Sequence, residues 1–402
     1  MKIIFFTENN RAGGMDKFLV TLLKNWPNNK DELTLICNRD HPGLVDLERE
    51  LSDKVLIIKH SILLNWSFCS TFISILPNFI QRILRQSMRI LLAPYQFLRL
   101  KHIFKKLGGD QLLTINGAYP GGETCRLSNI AWHSLGRAQS IHNIHNFAIK
   151  PRFIFSWYEA FIDKMLIKSC KCFVAVSQAC SDSLLLRNQF NNKNIITIYN
   201  GLDCISNPNS ERHHILKKLN ISEDQKILIM LGTYEKRKGH EFLLKTMKVV
   251  FDSKADIHLL ICGTGTNNEK QIINSYIQQY TPEKNIHLLG FVRDADKLIE
   301  SSYILLVPSQ EHESFGLTAV EAMQKGVPVI TTNVGGLPEA VGEDGVCGYI
   351  CNKEDIDCFS KKILYLIDNK DIYNKMSINA VKRAQDLFEA KRMVNEYYKL
   401  IN

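Results

Sequence analysis

Acidic residues are missing from one long stretch in the N-terminal half of the chain. Between Lys54 and Gly109 there is no Asp or Glu, although nine Lys and Arg residues lie in this window. The whole chain of 402 residues has 50 basic and 41 acidic side chains and a net charge of +9, so the excess of positive charge is confined to this window. Such a window favours an anionic partner, either a nucleic acid or a membrane that contains anionic lipids.

Paired cysteine motifs are also missing. The 11 cysteines form no C-x-x-C pair, and Cys170 and Cys172 are too close in sequence for a zinc knuckle. We therefore expect free thiols in a reducing compartment. The apolar run at the start, residues 2–6, is too short for a signal peptide, and together these features predict a cytoplasmic protein.

Long apolar runs without polar residues are absent too. The segment Ser61–Gln81 is uncharged but rich in Ser and Asn, and we expect no transmembrane helix there. The region 61–107 continues with Ile80–Lys106, where apolar and basic residues are interleaved. This pattern predicts either an amphipathic surface that binds the inner face of the cytoplasmic membrane or core helices with a solvated basic side. No aromatic-plus-basic motif favours nucleic acid.

Strand-like and helix-like segments alternate along the rest of the chain. Residues 2–6 read as a buried strand, followed by a loop with Gly13 and Gly14, a helix and a second strand. After a polar, irregular segment the alternation starts again at Ile227–Leu231. The pattern predicts an α/β protein with two Rossmann-like domains of parallel sheet. The predicted boundaries are 1–203, 204–385, and a C-terminal helix, 386–402, that crosses back to the first domain.

The motif Pro308–Met323 carries the clearest chemistry. A buried strand ends at Val307, a polar loop follows, and an amphipathic helix begins near Phe315 and Gly316. Free N–H groups at the start of a helix favour an anion such as a diphosphate. Glu313 lies just before this helix and Glu321 lies inside it, and carboxylates accept hydrogen bonds from vicinal hydroxyls of a sugar or ribose.

These residues resemble the hallmark of the retaining glycosyltransferases of family four, which have the GT-B architecture. Glu313 and Glu321 match the two glutamates of that family and their spacing. Further landmarks occur in the same order as in the family: Val174–Ser177, Asn200–Asp203, Cys262–Gly265, Gly290–Val292 and Val327–Glu339. The resemblance implies a nucleotide-sugar donor, with Glu321 on the ribose and Glu313 on the transferred sugar. The backbone amides of Phe315, Gly316 and Leu317 are implied to lie near the donor.

The resemblance implies further site residues. Lys238 matches the family's phosphate-binding lysine, whereas Thr233 stands where the family usually has Arg, and Arg237 is a candidate to supply the guanidinium. Gly13 and Gly14 would let the backbone approach the phosphates.

His142 and His145 both fit the family histidine that faces the donor sugar, in a contact or a proton transfer, and we prefer His142. The alternative for the two histidines is a purely structural role. For Glu313 and Glu321 the alternative is a position on a solvated surface, and for the loop that carries Lys238 it is an ordinary basic turn.

No metal or cofactor is expected. Asp294 and Asp296 form an Asp-x-Asp sequence but open a helix, which favours helix capping. Gly263 and Gly265 form an incomplete dinucleotide fingerprint. The predicted function is transfer of a sugar, with retention, from a nucleotide diphosphate donor to a glycan or lipid-linked acceptor in bacterial cell-surface polysaccharide synthesis. Alternatives are a nucleotide-sugar epimerase or phosphorylase on the same fold and a non-catalytic glycan-binding protein.

Overall fold

A computed structural model of the chain describes residues 1–11, 13–66, 76–190, 194–203, 216–217, 219–280, 285–292 and 295–402. The chain forms two compact units: residues 1–201 with 390–402, and residues 202–389. The sequence-based boundaries, after residues 203 and 385, differ from these divisions by a few residues. Asp294 of the Asp-x-Asp sequence and residues 67–75 of the uncharged segment lie outside the described residues.

Unit 1 contains a parallel sheet of seven strands in the order β3-β2-β1-β4-β5-β6-β7. The strands are β1 Lys2–Thr7, β2 Glu32–Asn38, β3 Val55–His60, β4 Gln111–Asn116, β5 Ser140–Ile144, β6 Cys170–Ala175 and β7 Ile195–Thr197. The helices that follow these strands are α1 Gly14–Lys24, α2 Leu44–Leu51, α3 Asn78–Leu107, α4 Glu123–His133, α5 Ser156–Ser169 and α6 Gln178–Leu184. The central strands are almost continuously apolar because helices cover both faces of the sheet.

Unit 2 contains a second parallel sheet of six strands in the order β10-β9-β8-β11-β12-β13. The strands are β8 Lys226–Leu231, β9 Ile257–Cys262, β10 Ile286–Gly290, β11 Ile304–Val307, β12 Val329–Thr332 and β13 Gly348–Cys351. The helices are α7 His240–Ser253, α8 Asn267–Tyr280, α9 Ala295–Ser301, α10 Leu317–Gln324, α11 Leu337–Val341, α12 Ile356–Asp368 and α13 Lys370–Phe388. The two parallel sheets confirm the predicted α/β fold class.

The last helix, α14 (Ala390–Ile401), packs in unit 1 although it follows unit 2 in sequence. Met393, Val394 and Tyr397 are buried in the same core cluster as Phe18 of α1. The hydroxyl of Tyr397 accepts a hydrogen bond of 2.6 Å from the side chain of Asn143 on β5. Burial of this apolar face fixes the helix on unit 1.

A buried ionic cluster joins the helices α3, α4 and α5 of unit 1. Arg126 donates to Glu123 at 2.5 Å, and Arg187 contacts Glu159 and Asp163, each at 2.7 Å. The Nε of Arg89 on α3 lies 2.7 Å from Glu123. The phenol groups of Tyr119 and Tyr158 donate to Asp163 and Glu123 respectively. We call Arg89, Arg126, Arg187, Glu123, Glu159 and Asp163 the ionic cluster.

Burial and nearby positive charge have opposite effects on the pKa of Glu123. Burial alone would raise the pKa of this carboxyl, but the guanidinium groups of Arg126 and Arg89 outweigh it and lower the pKa below its ordinary value. Glu123 is therefore held ionised in the interior.

Two observations bear on the sequence-based expectations about cysteines and membranes. Cys351 and Cys358 form a disulfide, because the turn after β13 brings their Cα atoms to 5.9 Å. The free-thiol expectation is therefore wrong for this pair, whereas the other cysteines in the described parts of the chain are buried thiols. Among the described helices, none combines the length and the apolar character needed to cross a bilayer.

Candidate active site

Two loops of unit 2 meet where the neighbouring strands β8 and β11 end. The backbone N–H of Gln310 donates to the carbonyl of Arg237 at 2.8 Å. Gly239 has a φ of +80°, and a Cβ at this position would lie 1.9 Å from the carbonyl oxygen of Pro308. Only glycine fits such a left-handed conformation and close contact. The loop of residues 232–239 is thereby held against the loop that carries Glu313.

Lys238 and Glu313 form an ion pair at this junction. The Nζ of Lys238 lies 2.5 Å from the Oε2 of Glu313, and the two side chains are 16% and 14% exposed. The hydroxyl of Ser309 donates to the same carboxylate oxygen at 3.2 Å. The aliphatic stem of Lys238 lies 3.5 Å from the place where Gly232 would carry a Cβ. The pair is therefore tightly positioned, and only a small part of each side chain reaches solvent.

Arg237 lies beside this pair but is held mainly by another group. Its Nε donates to Glu235 at 2.5 Å and its Nη1 donates to the carbonyl of His312 at 3.3 Å. The Nη1 is 3.9 Å from the carboxylate of Glu313. Its positive charge therefore adds to that of Lys238 at the site.

The helix α10 begins next to the ion pair. Gly316 caps its N-terminus with a φ of +99°, and Phe315 is buried with its ring centroid 5.4 Å from that of Phe388. The carbonyl of Glu313 accepts a hydrogen bond of 2.9 Å from the N–H of Gly336. Leu317 opens the helix, and Glu321 lies one turn further along and is half-buried. The N-terminus of α10 adds partial positive charge to the site.

Glycines also bring the ends of β8 and β9 together. A Cβ on Gly263 would lie 1.7 Å from the carbonyl oxygen of Gly232, and one on Gly265 would lie 2.7 Å from the Cβ of Tyr234. The N–H of Gly232 donates to the carbonyl of Cys262 at 2.9 Å. Close approach of two backbones therefore explains the glycine pair 263 and 265 without a dinucleotide.

In unit 1, the predicted glycines lie at the start of α1. Gly13 is the N-cap residue and Gly14 is the first helical residue, and both are exposed. The N–H of Gly13 donates to the carboxylate of Asp16 at 2.9 Å. Asp16 in turn lies 3.3 Å from the Nε2 of His41. Asp16 thus holds the loop from inside and leaves the two glycines on the surface.

His145 is the first residue after β5 and packs against α1. Its ring centroid is 4.3 Å from that of Phe18, and its backbone N–H donates to the carbonyl of Asn116 at 2.9 Å. Its Nε2 is buried without a hydrogen-bond partner among the described residues. Burial lowers the pKa of His145 to about 3, so the imidazole is neutral at physiological pH.

His142 lies inside β5 and is fully buried. Its Nδ1 is 2.9 Å from the amide nitrogen of Asn129, and its Nε2 is 3.3 Å from that of Asn116. Burial, and secondarily the charge of Arg126, lowers the pKa of His142 to about 3. These contacts favour the structural role over the preferred donor contact.

Two polar groups near the predicted site residues were missed from the sequence. In unit 2, Ser309 contacts Glu313. In unit 1, Glu8 follows β1 at the carboxyl ends of the strands, where β5 also ends. Glu8 accepts a hydrogen bond from the hydroxyl of Thr124 at 2.6 Å and one from the indole of Trp66 at 3.2 Å. Burial raises the pKa of Glu8. In both cases the available signal was a polar residue close to the end of an apolar strand: Glu8 follows β1 directly, and Ser309 lies two residues after β11.

Two family models match this chain. Residues 12–205 match Glycosyltransferase Family 4, and residues 211–383 match Glycosyl transferases group 1, so that together the matches cover most of the chain. The chain belongs to this family of glycosyltransferases. Each of the two units is matched by one of these models, and the resemblance predicted from the sequence is confirmed.

Known relatives and solved structures agree with this assignment. The chain is 30% identical to N-acetyl-alpha-D-glucosaminyl L-malate synthase of Bacillus anthracis over 51% of this chain and 53% of that protein. It is 28% identical to the capsular polysaccharide biosynthesis glycosyltransferase CapM of Staphylococcus aureus over 49% and 50%. The matches thus span about half the length of these relatives. The structure of Anabaena HepE in complex with UDP has a TM-score of 0.77 at 17% identity, over 100% of this chain and 99% of that chain, which confirms the GT-B fold.

Proposed function

We propose that this chain transfers a sugar from a nucleoside diphosphate donor to a hydroxyl of a glycan or lipid-linked acceptor. The observation that carries the proposal is the solvent-accessible pair of Lys238 and Glu313 at the N-terminus of α10. Anabaena HepE, which shares the fold, has been solved with UDP and with UDP-glucose, and this supports a nucleotide-sugar donor.

The proposed roles follow from charge. Lys238, Arg237 and the N–H groups at Phe315, Gly316 and Leu317 would bind the diphosphate, because cations and a helix N-terminus favour phosphate oxygens. Glu313 would accept hydrogen bonds from the transferred sugar, and Glu321 would accept them from the ribose. Without the donor, Lys238 and Glu313 neutralise each other. With the donor, each would exchange this contact for a contact with the ligand.

For unit 1, considered by itself, we propose roles for Gly13, Gly14 and His145. The exposed glycines carry no side chain that would keep phosphate oxygens away from the start of α1, although the N–H of Gly13 donates to Asp16. The Nε2 of His145 has no partner among the described residues and would be available for a hydroxyl of the donor sugar. A neutral imidazole can either donate or accept such a hydrogen bond.

We propose that the transfer retains the configuration at the anomeric carbon. The bond from this carbon to the leaving phosphate breaks on the same face on which the acceptor hydroxyl forms the new bond, and the hydroxyl proton passes to the departing phosphate. Negative charge grows on the leaving oxygens, where Lys238 and α10 would stabilise it. The NMR coupling constant of the product's anomeric proton should therefore show the donor configuration, and an inverted product would contradict retention.

Replacing Glu321 with Ala should weaken donor binding. The variant loses the acceptor for the ribose hydroxyls, which is worth about 1.5–3 kcal/mol for hydrogen bonds to a charged group, and its affinity for the nucleotide sugar should fall at least about tenfold. Titration calorimetry in the presence of EDTA measures this affinity and also tests our proposal that no metal is required. The exposed Glu343 provides the matched control, Glu343→Ala. Unchanged binding by Glu321→Ala would contradict the site.

We further propose that the acceptor belongs to bacterial cell-surface polysaccharide synthesis and that the chain acts at the inner face of the cytoplasmic membrane. The similarity to CapM supports the first part. The basic window from Lys54 to Gly109 supports the second, because α3 exposes Arg85, Arg99, Lys105 and Lys106 and anionic lipids attract such a surface.

A further inference from the structure

Large apolar side chains project into solvent around the start of α5. Phe153 is 95% exposed, Ile154 and Trp157 are each 65% exposed, and Phe161 is 58% exposed. Phe153 and Ile154 lie in a short 3-10 helix that leads into α5. The spacing of four residues places Trp157 and Phe161 along one side of α5, and Phe153 and Ile154 lie just before the start of that helix. We call Phe153, Ile154, Trp157 and Phe161 the aromatic surface.

The charges around the aromatic surface are positive. Lys150, Lys164 and Lys168 are exposed, whereas the acidic residues of the same segment, Glu159 and Asp163, are buried. Both acids face inward because Arg187 pairs with them. The outer side of the segment 149–168 therefore presents apolar and cationic groups without an exposed carboxylate.

The nearby helix α3 also exposes apolar side chains. Both α3 and α5 pack on α4, and α3 exposes Leu91 at 70% and Leu98 at 63%. The ionic cluster fixes α3, α4 and α5 to one another from inside. The ionic cluster thus holds α3, α4 and α5 together, while the outer sides of α3 and α5 stay exposed to solvent.

An anionic bilayer is the occupant that fits both features. Aromatic side chains and Trp in particular are stabilised at the headgroup level of a membrane, where lysines reach the lipid phosphates. A soluble protein partner, by contrast, would need both acidic groups and an apolar pocket on the same surface. We propose that the aromatic surface inserts into the headgroup region of a membrane that contains anionic lipids. The aromatic surface itself lies outside the basic window, and the proposal extends the membrane association proposed above without depending on the glycosyltransferase reaction.

Trp157 makes the proposal directly measurable. Of the 4 tryptophans, Trp26 and Trp132 are buried and Trp66 is half-buried, so Trp157 is the one that meets solvent most fully. Adding vesicles of phosphatidylcholine with phosphatidylglycerol to the full chain should shift the fluorescence emission to shorter wavelength. The variant Trp157→Phe should still float with the vesicles but should lose most of this shift. A shift of the same size in Trp157→Phe would overturn the proposal.

Two further variants separate insertion from simple charge attraction. The double variant Phe153→Ser/Trp157→Ser should bind the anionic vesicles at least about tenfold more weakly, because two exposed rings no longer enter the interface. Phe291 of unit 2 is 71% exposed, and Phe291→Ser, the matched control, should bind like the unaltered chain. Full binding by the double variant would contradict insertion. Concentration-dependent self-association without vesicle binding would assign the surface to a second copy instead.

Discussion

The Lys238→Ala variant is expected to turn over about 100- to 1,000-fold more slowly than the unaltered protein, the range seen when one preorganised charge-stabilising group is removed from an active site. The ammonium group of Lys238 is held 2.5 Å from Glu313, and the Lys238 side chain is 16% exposed. Its positive charge would meet the oxygens of the departing diphosphate, where negative charge grows during transfer. Steady-state kinetics with a nucleotide sugar and a suitable acceptor measure kcat and kcat/KM.

Lys236 provides the matched control for this prediction. It lies in the same short helix, residues 236–238, and its side chain is exposed, so Lys236→Ala should keep turnover within about twofold, as for surface changes away from a site. Lys238→Arg should restore only part of the rate, because a planar guanidinium does not replace a compact ammonium in a fitted position. An active Lys238→Ala enzyme would contradict the proposed diphosphate site.

A stability measurement separates a catalytic from a structural role for the pair. The side chains of Lys238 and Glu313 are mostly buried, at 16% and 14% exposure, but still reach solvent, and we expect the pair to contribute nearer to the ~0–1 kcal/mol of an exposed pair than to the roughly 3–5 kcal/mol lost when a fully buried pair is broken. The melting temperature of Lys238→Ala should therefore stay close to that of the unaltered chain while turnover falls. A parallel loss of stability and activity would instead indicate that the pair only holds the loop.

The site in unit 2 was predictable from the sequence because its parts are local. Glu313, Gly316 and Glu321 lie within one strand–loop–helix unit, and the order of apolar and polar residues there sets which group lies at the helix start. Lys238 comes from a separate loop, and the resemblance to the family identified it. The contact between the two loops depends on Gly239, whose φ of +80° no sequence pattern specifies.

Features that depend on distant residues were not predictable. Arg126 of α4 meets Asp163 of α5 only after these helices have packed together, and Arg187, which follows α6, meets Glu159 and Asp163 only after its segment has packed on α5. His142 was preferred over His145 because Asn143 and Ile144 follow it, as in relatives of the family, and this local likeness does not reveal that Asn129 and Asn116 enclose its ring. The aromatic surface was missed for a related reason: apolar residues on a helix indicate a core face only if another element covers them.

Replacing Arg126 with Met is expected to lower the free energy of unfolding by about 3–5 kcal/mol, the usual effect of removing one partner from a buried ion pair. The side chain of Arg126 is fully buried, and its guanidinium lies 2.5 Å from Glu123 and 3.4 Å from Asp163. Methionine fills much of the volume but leaves part of the negative charge of these carboxylates uncompensated. Urea unfolding followed by circular dichroism measures the change.

Arg49 is the control for this second prediction. Its pair with Asp46 joins side chains that are 53% and 60% exposed, and Arg49→Met should change the stability by less than about 1 kcal/mol. An equally small effect of Arg126→Met would show that the ionic cluster is neutral for stability, as some buried pairs are when they are replaced by apolar groups.

The pH dependence of the Arg126→Met effect distinguishes lost charge pairing from lost packing. In the unaltered chain the pKa of Glu123 is below its ordinary value of 4.5, so this group stabilises the fold above that value and loses its contribution as the pH falls through the lowered pKa. Without Arg126 the pKa of Glu123 in the folded state rises, because burial then acts against less positive charge. Protonation at low pH removes the uncompensated charge, and the stability difference between the two proteins should narrow as the pH falls towards 4. A difference caused by packing alone would stay constant over the same range.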